Sequence, residues 1–215
     1  MLHKETIAPA TLELLKSLMN DDNLPDFRLV GGTALALQLG HRVSVDLDLF
    51  TNTPFDVENC QAILQNKYRF IPTYIQYQTL KGDIGNVKID CIAHQYPWIK
   101  PALEEEDIRL ASLEDICAMK LNAIAGNSTR LKDFIDIAWL SSKFSFNEML
   151  GFYAQKYNAN TIIPEKAITF FEDINFSEPV RFTDGKPFKW DNYAKTIQKM
   201  TDKPNDKVGL AKFEK

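Results

Sequence analysis

No run of about 18 apolar residues occurs anywhere in this 215-residue chain, so no membrane-crossing helix is expected. The opening Met1-Leu2-His3-Lys4-Glu5-Thr6 lacks the apolar stretch of a signal peptide. Cysteine is scarce. Cys60, Cys91 and Cys117 are far apart and odd in number, and they fit neither a disulfide framework nor a zinc motif. Each reads as a small buried hydrophobe, and the expected compartment is a reducing cytoplasm. There is no internal repeat and no low-complexity segment. Positive charge is not in excess either: 25 Lys and Arg stand against 29 Asp and Glu, a net charge of −4. That argues against a protein that coats nucleic acid indiscriminately. The imbalance is uneven, because residues 181–215 hold nine Lys and Arg and five Asp and Glu. This segment is expected to be a solvated, partly frayed tail that can also touch phosphates. Apolar residues make up 45%, enough for a substantial core.

The pattern predicts an α+β chain, with strands first and helices later. Leu12, Leu15, Leu18 and Met19 recur at helical spacing over residues 8–20. Residues 27–30 read as a short strand, Gly31-Gly32 as a tight turn, and residues 33–39 as a short helix closed by Gly40. Residues 43–50 read as a strand and 56–66 as a helix. Residues 70–80 and 84–94 read as two strands joined at Lys81-Gly82-Asp83. A domain boundary falls near 95–110, giving a core over 1–108 and a helical region over 109–215. Ser112-Leu113-Glu114-Asp115 opens a helix that runs to about Ala125. A break at residues 126–129 precedes a second helix with Leu131, Phe134, Ile135 and Ala138 on its core face.

The chemistry centres on Asp46 and Asp48. On a strand they share a face with alpha carbons about 6.5 Å apart. Carboxylates so placed repel each other, and one divalent cation between them cancels the repulsion. Mg²⁺ binds in this manner, through a few carboxylates and substrate phosphates. Asp90, in Val87-Lys88-Ile89-Asp90-Cys91, is a third carboxylate that converges with them if its strand lies alongside. It could also orient or deprotonate an attacking hydroxyl. Gly31-Gly32-Thr33, between a strand and a helix, allows a phosphate to approach backbone N–H groups. Lys120 lies four residues from both Ile116 and Ile124, on an inward helix face, and needs an anionic partner such as phosphate. Lys132 and Asp136 are spaced to form a surface pair. Arg130 and Asp133 belong to the same stretch.

Gly-Gly-Thr-Ala-Leu, Arg-x-Ser-x-Asp-Leu-Asp-Leu-Phe, Lys-Leu-x-Ala-Ile and Lys-Asp-Phe-Ile-Asp together resemble the AbiEii/AbiGii-type nucleotidyltransferases of the polymerase beta-like superfamily. The resemblance covers roughly residues 26–145, with weaker similarity at Phe170-Phe171-Glu172-Asp173 and Trp190. It implies a small mixed-sheet nucleotidyltransferase core with a helical C-terminal region. It also implies an NTP co-substrate, Mg²⁺ or Mn²⁺, and transfer to an acceptor hydroxyl, which in some relatives is a tRNA 3′ end. A separately encoded antitoxin is implied as partner. By motif, Gly31, Gly32 and Thr33 form the phosphate turn. Asp46 and Asp48 are metal ligands, and Lys120 contacts nucleotide phosphates; Asp90 is the third ligand expected from the strand reading above. Arg130, Lys132, Asp133 and Asp136 are assigned to the nucleotide site. Where many relatives carry serine, Gly32 stands here, and a hydroxyl contact falls to Thr33 or Ser44. Two other readings stay open: a non-catalytic module that binds NTP or a partner, and a phosphotransferase or hydrolase using the same metal site.

Overall fold

The computed structural model describes residues 1–185 and 187–210. The chain forms two compact units, Met1–Ser112 and Leu113–Lys215. Among the described residues, no helix is long and apolar enough to cross a membrane.

The first unit is built on a mixed sheet of seven strands. They are β1 (Arg28–Val30), β2 (Leu47–Thr51), β3 (Ile71–Gln76), β4 (Thr79–Ile84), β5 (Val87–Ala93), β6 (Leu103–Glu105) and β7 (Ile108–Leu110). Their order is β3-β4-β5-β2-β1-β7-β6. The β2–β5 and β1–β7 pairs are parallel and the others antiparallel. Three helices accompany the sheet: α1 (Pro9–Met19), α2 (Gly31–Leu39) and α3 (Val57–Tyr68). Proline at the first turn opens α1, where its missing N–H costs nothing. Gly40 closes α2 in the left-handed conformation, φ 69°. The Asp56 carboxylate caps α3 by accepting from Asn59 N at 3.0 Å. Leu29, Leu35, Leu47, Leu49, Leu80 and Ile89 form the heart of the core.

Several elements differ from the sequence-based expectations. The aspartate strand starts at Leu47 rather than Val43. Residues 43–46 spend their hydrogen bonds elsewhere: Ser44 N donates to Thr6 O at 2.9 Å, and the Asp46 carbonyl accepts from Thr33 Oγ1. Val45, outside the strand, is exposed, whereas Leu47 and Leu49 are buried. Gly31-Gly32 is the first turn of α2 rather than a separate turn. Residues 70–94 form three strands, and Lys81-Gly82-Asp83 lies inside β4. Glycine stands at 82 because a Cβ there would collide with the Ile71 carbonyl and the Phe70 ring. The actual reversals fall between these strands, where Gln78 and Gly85 take φ of 55° and 60°. The acidic stretch expected to hold a boundary instead forms the β6–β7 hairpin. Its turn residues Glu106 and Asp107 both have positive φ, 54° and 64°, in place of the usual Asn-Gly.

The second unit is helical: α4 (Leu113–Gly126), α5 (Leu131–Leu140), α6 (Phe146–Tyr157), α7 (Ile162–Ala167) and α8 (Trp190–Asp202). Leu131, Phe134, Ile135 and Ala138 line the core as their spacing predicts. Ser145 and Glu148 form a reciprocal capping box at α6. The basic C-terminal segment contains α8, which buries Tyr193, Ile197 and Met200, so that part is not a frayed tail. Residues 186 and 211–215 of that segment lie outside the described residues.

Candidate active site

In the first unit the chain turns directly from β1 into α2 at Gly31, whose φ is +68°. Asp48 is the register partner of Val30, the residue just before this glycine. Its carboxylate rests against Gly31 so closely that a Cβ there would collide with Asp48 Oδ2. A Cβ on Gly32 would collide with the Arg42 guanidinium and press on Ser44 Oγ at 3.3 Å. The Gly-Gly pair thus lets an acidic and a basic side chain approach the start of one helix, where free N–H groups carry partial positive charge. Thr33 is buried, donates to the Asp46 carbonyl at 2.5 Å and lies 2.9 Å from Ser44 Oγ. Its hydroxyl therefore ties down the segment that carries Asp46. Asp46 itself is exposed, one residue ahead of β2, while Asp48 is half-buried.

Asp90 is the direct register neighbour of Asp48 across the parallel β2–β5 pair. Side chains directly opposite on adjacent strands share a face. Asp90 is also the cross-strand partner of Lys81, and the two form an ion pair. Among the described residues, no three His, Cys, Asp or Glu side chains gather closely enough to hold a metal ion. Asp90, expected as the third carboxylate of the group, is paired with Lys81. The remaining set fits a hard cation of a particular kind. Asp48 sets a carboxylate against the helix start at Gly31, and Asp46 stands exposed two residues earlier; two carboxylates near free backbone N–H groups are a donor set that suits Mg²⁺ or Mn²⁺ with ligands completed by a substrate.

The helical unit holds the other expected residues in a different setting. Lys120, Asp133 and Asp136 are all buried. Lys120 Nζ lies 2.5 Å from Asp133 Oδ1 and 2.8 Å from Asp136 Oδ2. The anion that this inward lysine needs is supplied by the protein. Asp133 Oδ2 accepts no hydrogen bond, and Arg130 Nε stands 3.6 Å from it. Arg130 is 66% exposed, and Lys132 pairs with Glu178 at 3.1 Å. The expected Lys132–Asp136 pair is not formed, because Asp136 turns inward to Lys120. A second sealed pair joins Lys156 to Asp115 at 2.8 Å, both fully buried.

Sequence reasoning passed over three of these residues. Arg42 is buried beside Gly32, and its signal was an arginine four residues before Asp46. Lys81 was read as a turn residue, and Lys156 carried no local signal.

A family model described as "Nucleotidyl transferase AbiEii toxin, Type IV TA system" matches residues 13–207. An uncharacterized protein of Aquifex aeolicus (strain VF5) is 32% identical over 168 residues, 75% of this chain and 81% of that protein. Among solved structures, an H. pylori protein provisionally described as a nucleotidyltransferase matches with a TM-score of 0.54 at 16% identity. The match covers 91% of this chain and 94% of that one, and is a likeness of fold. JHP933 from Helicobacter pylori matches at 15% identity and a TM-score of 0.47, covering 91% and 92%.

Proposed function

Because the chain belongs to the AbiEii nucleotidyl transferase toxin family, we propose that it moves a nucleoside monophosphate from an NTP to an acceptor hydroxyl, using Mg²⁺ or Mn²⁺ at Asp46 and Asp48. Membership carries nucleotidyl transfer as the activity, and a type IV toxin–antitoxin system, with its antitoxin, as the setting. The observation that supports the metal and nucleotide reading best is the Asp48 carboxylate resting against Gly31. A carboxylate and a helix N-terminus side by side suit a cation and a phosphate together.

In this scheme the acceptor oxygen attacks the α-phosphorus, the bond to the bridging oxygen breaks, and pyrophosphate leaves. The metal, when bound, supplies charge neutralisation at the transferring phosphoryl group. The chain supplies positioning. Backbone N–H groups of Gly31 and Gly32 receive phosphate oxygens, Arg42 adds positive charge at the same helix start, and Thr33 with Ser44 fixes the Asp46 segment. Asp90 orients the attacking hydroxyl. Lys120 holds Asp133 and Asp136 within the helical unit, and a direct phosphate contact would require that pair to open. Arg130 and Lys132 offer surface charge to an RNA acceptor such as tRNA, together with the basic C-terminal segment.

Incubation with each labelled NTP and Mg²⁺, with and without tRNA, tests the scheme. Label on RNA supports transfer to tRNA, and label on another acceptor keeps the transfer and changes the acceptor. Free phosphate would mean hydrolysis. Retention of unreacted nucleotide would mean a binding module, a reading favoured by the neutralisation of Asp90 by Lys81. RNA binding carried by surface cations releases counterions, so it should weaken steeply with salt and on deleting residues 203–215. Inducible expression in a bacterial host tests toxicity separately.

A further inference from the structure

Lys81 pairs with Asp90, one of the proposed catalytic carboxylates, and its position is closely determined. It is the register partner of Asp90 on β5, and Asp90 is in turn the register partner of Asp48 on β2. The next residue, Gly82, is locked between the Phe70 ring and the Ile71 carbonyl, so β4 cannot slide without a clash. The side chains of Lys81 and Asp90 are 37% and 26% exposed, so both remain reachable by a solute. Two neighbouring carboxylates on one sheet face repel each other, and a nearby ammonium relieves that repulsion as a divalent cation would. It also opposes the approach of a cation.

Resting on the metal and nucleotide reading above, we propose that Lys81 is a positioning residue that keeps Asp90 out of cation coordination. The divalent cation then enters this site with the nucleotide rather than ahead of it. Asp46 and Asp48 alone make a weak site for a cation that keeps most of its waters. The nucleotide's phosphates complete the ligand set and add the negative charge that outweighs Lys81.

The test is titration of the whole chain with Mn²⁺, free ion being read by electron paramagnetic resonance, in the absence and presence of a non-hydrolysable NTP analogue. Wild-type protein should bind Mn²⁺ weakly alone and at least about tenfold more tightly with the analogue. Lys81→Met should tighten binding of Mn²⁺ alone by about tenfold or more, the size of effect one adjacent charge exerts on a carboxylate site. Lys81→Arg keeps the charge and should keep the wild-type difference, which separates charge from packing. Lys81→Gln supplies the same comparison should the Met variant not fold. Equal Mn²⁺ affinity in wild type and the uncharged variants would overturn the role of Lys81 while leaving the transferase scheme intact. Equally tight binding by wild type with and without the analogue would do the same. Absence of Mn²⁺ binding even with the analogue would overturn the metal reading and this inference with it.

Discussion

Asp46, Asp48 and Asp90 of the sheet unit stand exposed or half-buried, whereas Asp115, Asp133 and Asp136 of the helical unit are buried. Each buried aspartate has a buried lysine within 2.8 Å, Lys156 for the first and Lys120 for the other two. The residue type is the same and its consequences are opposite. A sealed carboxylate has exchanged water for a fixed cation, and breaking that pair strands a charge in an apolar interior. A half-open carboxylate stays partly in water and costs the fold less to hold. Aspartates that look equivalent in sequence thus divide into those that hold the protein together and those that it can spend on chemistry.

Removing the lysines should show the sealed side of that comparison most strongly. Lys156→Ala leaves Asp115 fully buried without its cation, and Lys120→Ala does so to two aspartates. Each should lower stability by about 3–5 kcal/mol in chemical denaturation. For Lys120 this replaces the expectation, natural from sequence, that truncation is tolerated and weakens only nucleotide binding. Replacing Lys156 and Asp115 together with Met and Leu should restore most of the loss, because no stranded charge remains. A loss under about 1 kcal/mol for the single variants would mean that water reaches these pairs.

The open side is next, through the glycine that admits Asp48. Gly31→Ala places a side chain at φ +68° and drives a methyl group into Asp48 Oδ2. Left-handed strain of this kind costs about 1–3 kcal/mol. Displacing a ligand by even about 1 Å can cost about a hundredfold in rate. Transferase activity should therefore fall far more than the melting temperature suggests, as parallel melts and assays would show. Unchanged activity would remove Asp48 from the site.

The division between sealed and open aspartates was only half legible in the sequence. Gly31-Gly32 followed by Asp46 and Asp48 pointed to the candidate site, and the structure sets the Asp48 carboxylate against Gly31. Helical periodicity correctly placed Leu131, Phe134, Ile135 and Ala138 in a core. The long-range partners were not legible. Lys120 meets Asp133 across a helical hairpin, Lys156 meets Asp115 over 41 positions, and Lys81 meets Asp90 only once the strands are in register. Local signals also misled. Lys81-Gly82-Asp83 has the composition of a turn, but Gly82 is there for a close approach inside β4. Glu106-Asp107 has the composition of a solvated loop, yet it makes a tight hairpin turn. Such exceptions are settled by neighbours distant in the chain.

One half-buried aspartate of the sheet unit is closely partnered, and it sharpens the comparison by showing that setting decides the behaviour. The Asn23 side chain, then Lys67 and Tyr68, hold the Asp21 carboxyl far below the usual carboxylate range. A depressed folded pKa stabilises the protein fully above the unfolded value, about 3.9, and the contribution is lost as pH falls below it. Asp21→Asn should therefore lower stability at neutral pH, where this contribution is fully present, and flatten the fall in stability below about pH 4. Burial and Asp21 also push Tyr68 up to about 12. In the same variant, tyrosinate absorbance should show one tyrosine ionising earlier, and an unaltered alkaline titration would deny the Asp21–Tyr68 contact.

The smallest expected change in stability belongs to the residues proposed to hold the metal. Asp46 is exposed, and Asp48 is half-buried beside another carboxylate. Removing one negative charge from this group relieves repulsion in the metal-free protein, and surface substitutions usually shift stability by no more than about 0.5 kcal/mol. Asp46→Asn and Asp48→Asn should consequently melt at or slightly above the wild-type temperature without metal, while nucleotidyl transfer is abolished. Added Mn²⁺ and nucleotide should raise the melting temperature of the wild type and not of these variants, since only the former gains ligand-bound folded protein. A several-kcal/mol loss in either variant would put its aspartate with the sealed group, alongside Asp133 and Asp136. It would also leave the glycine-lined helix start without a carboxylate ligand.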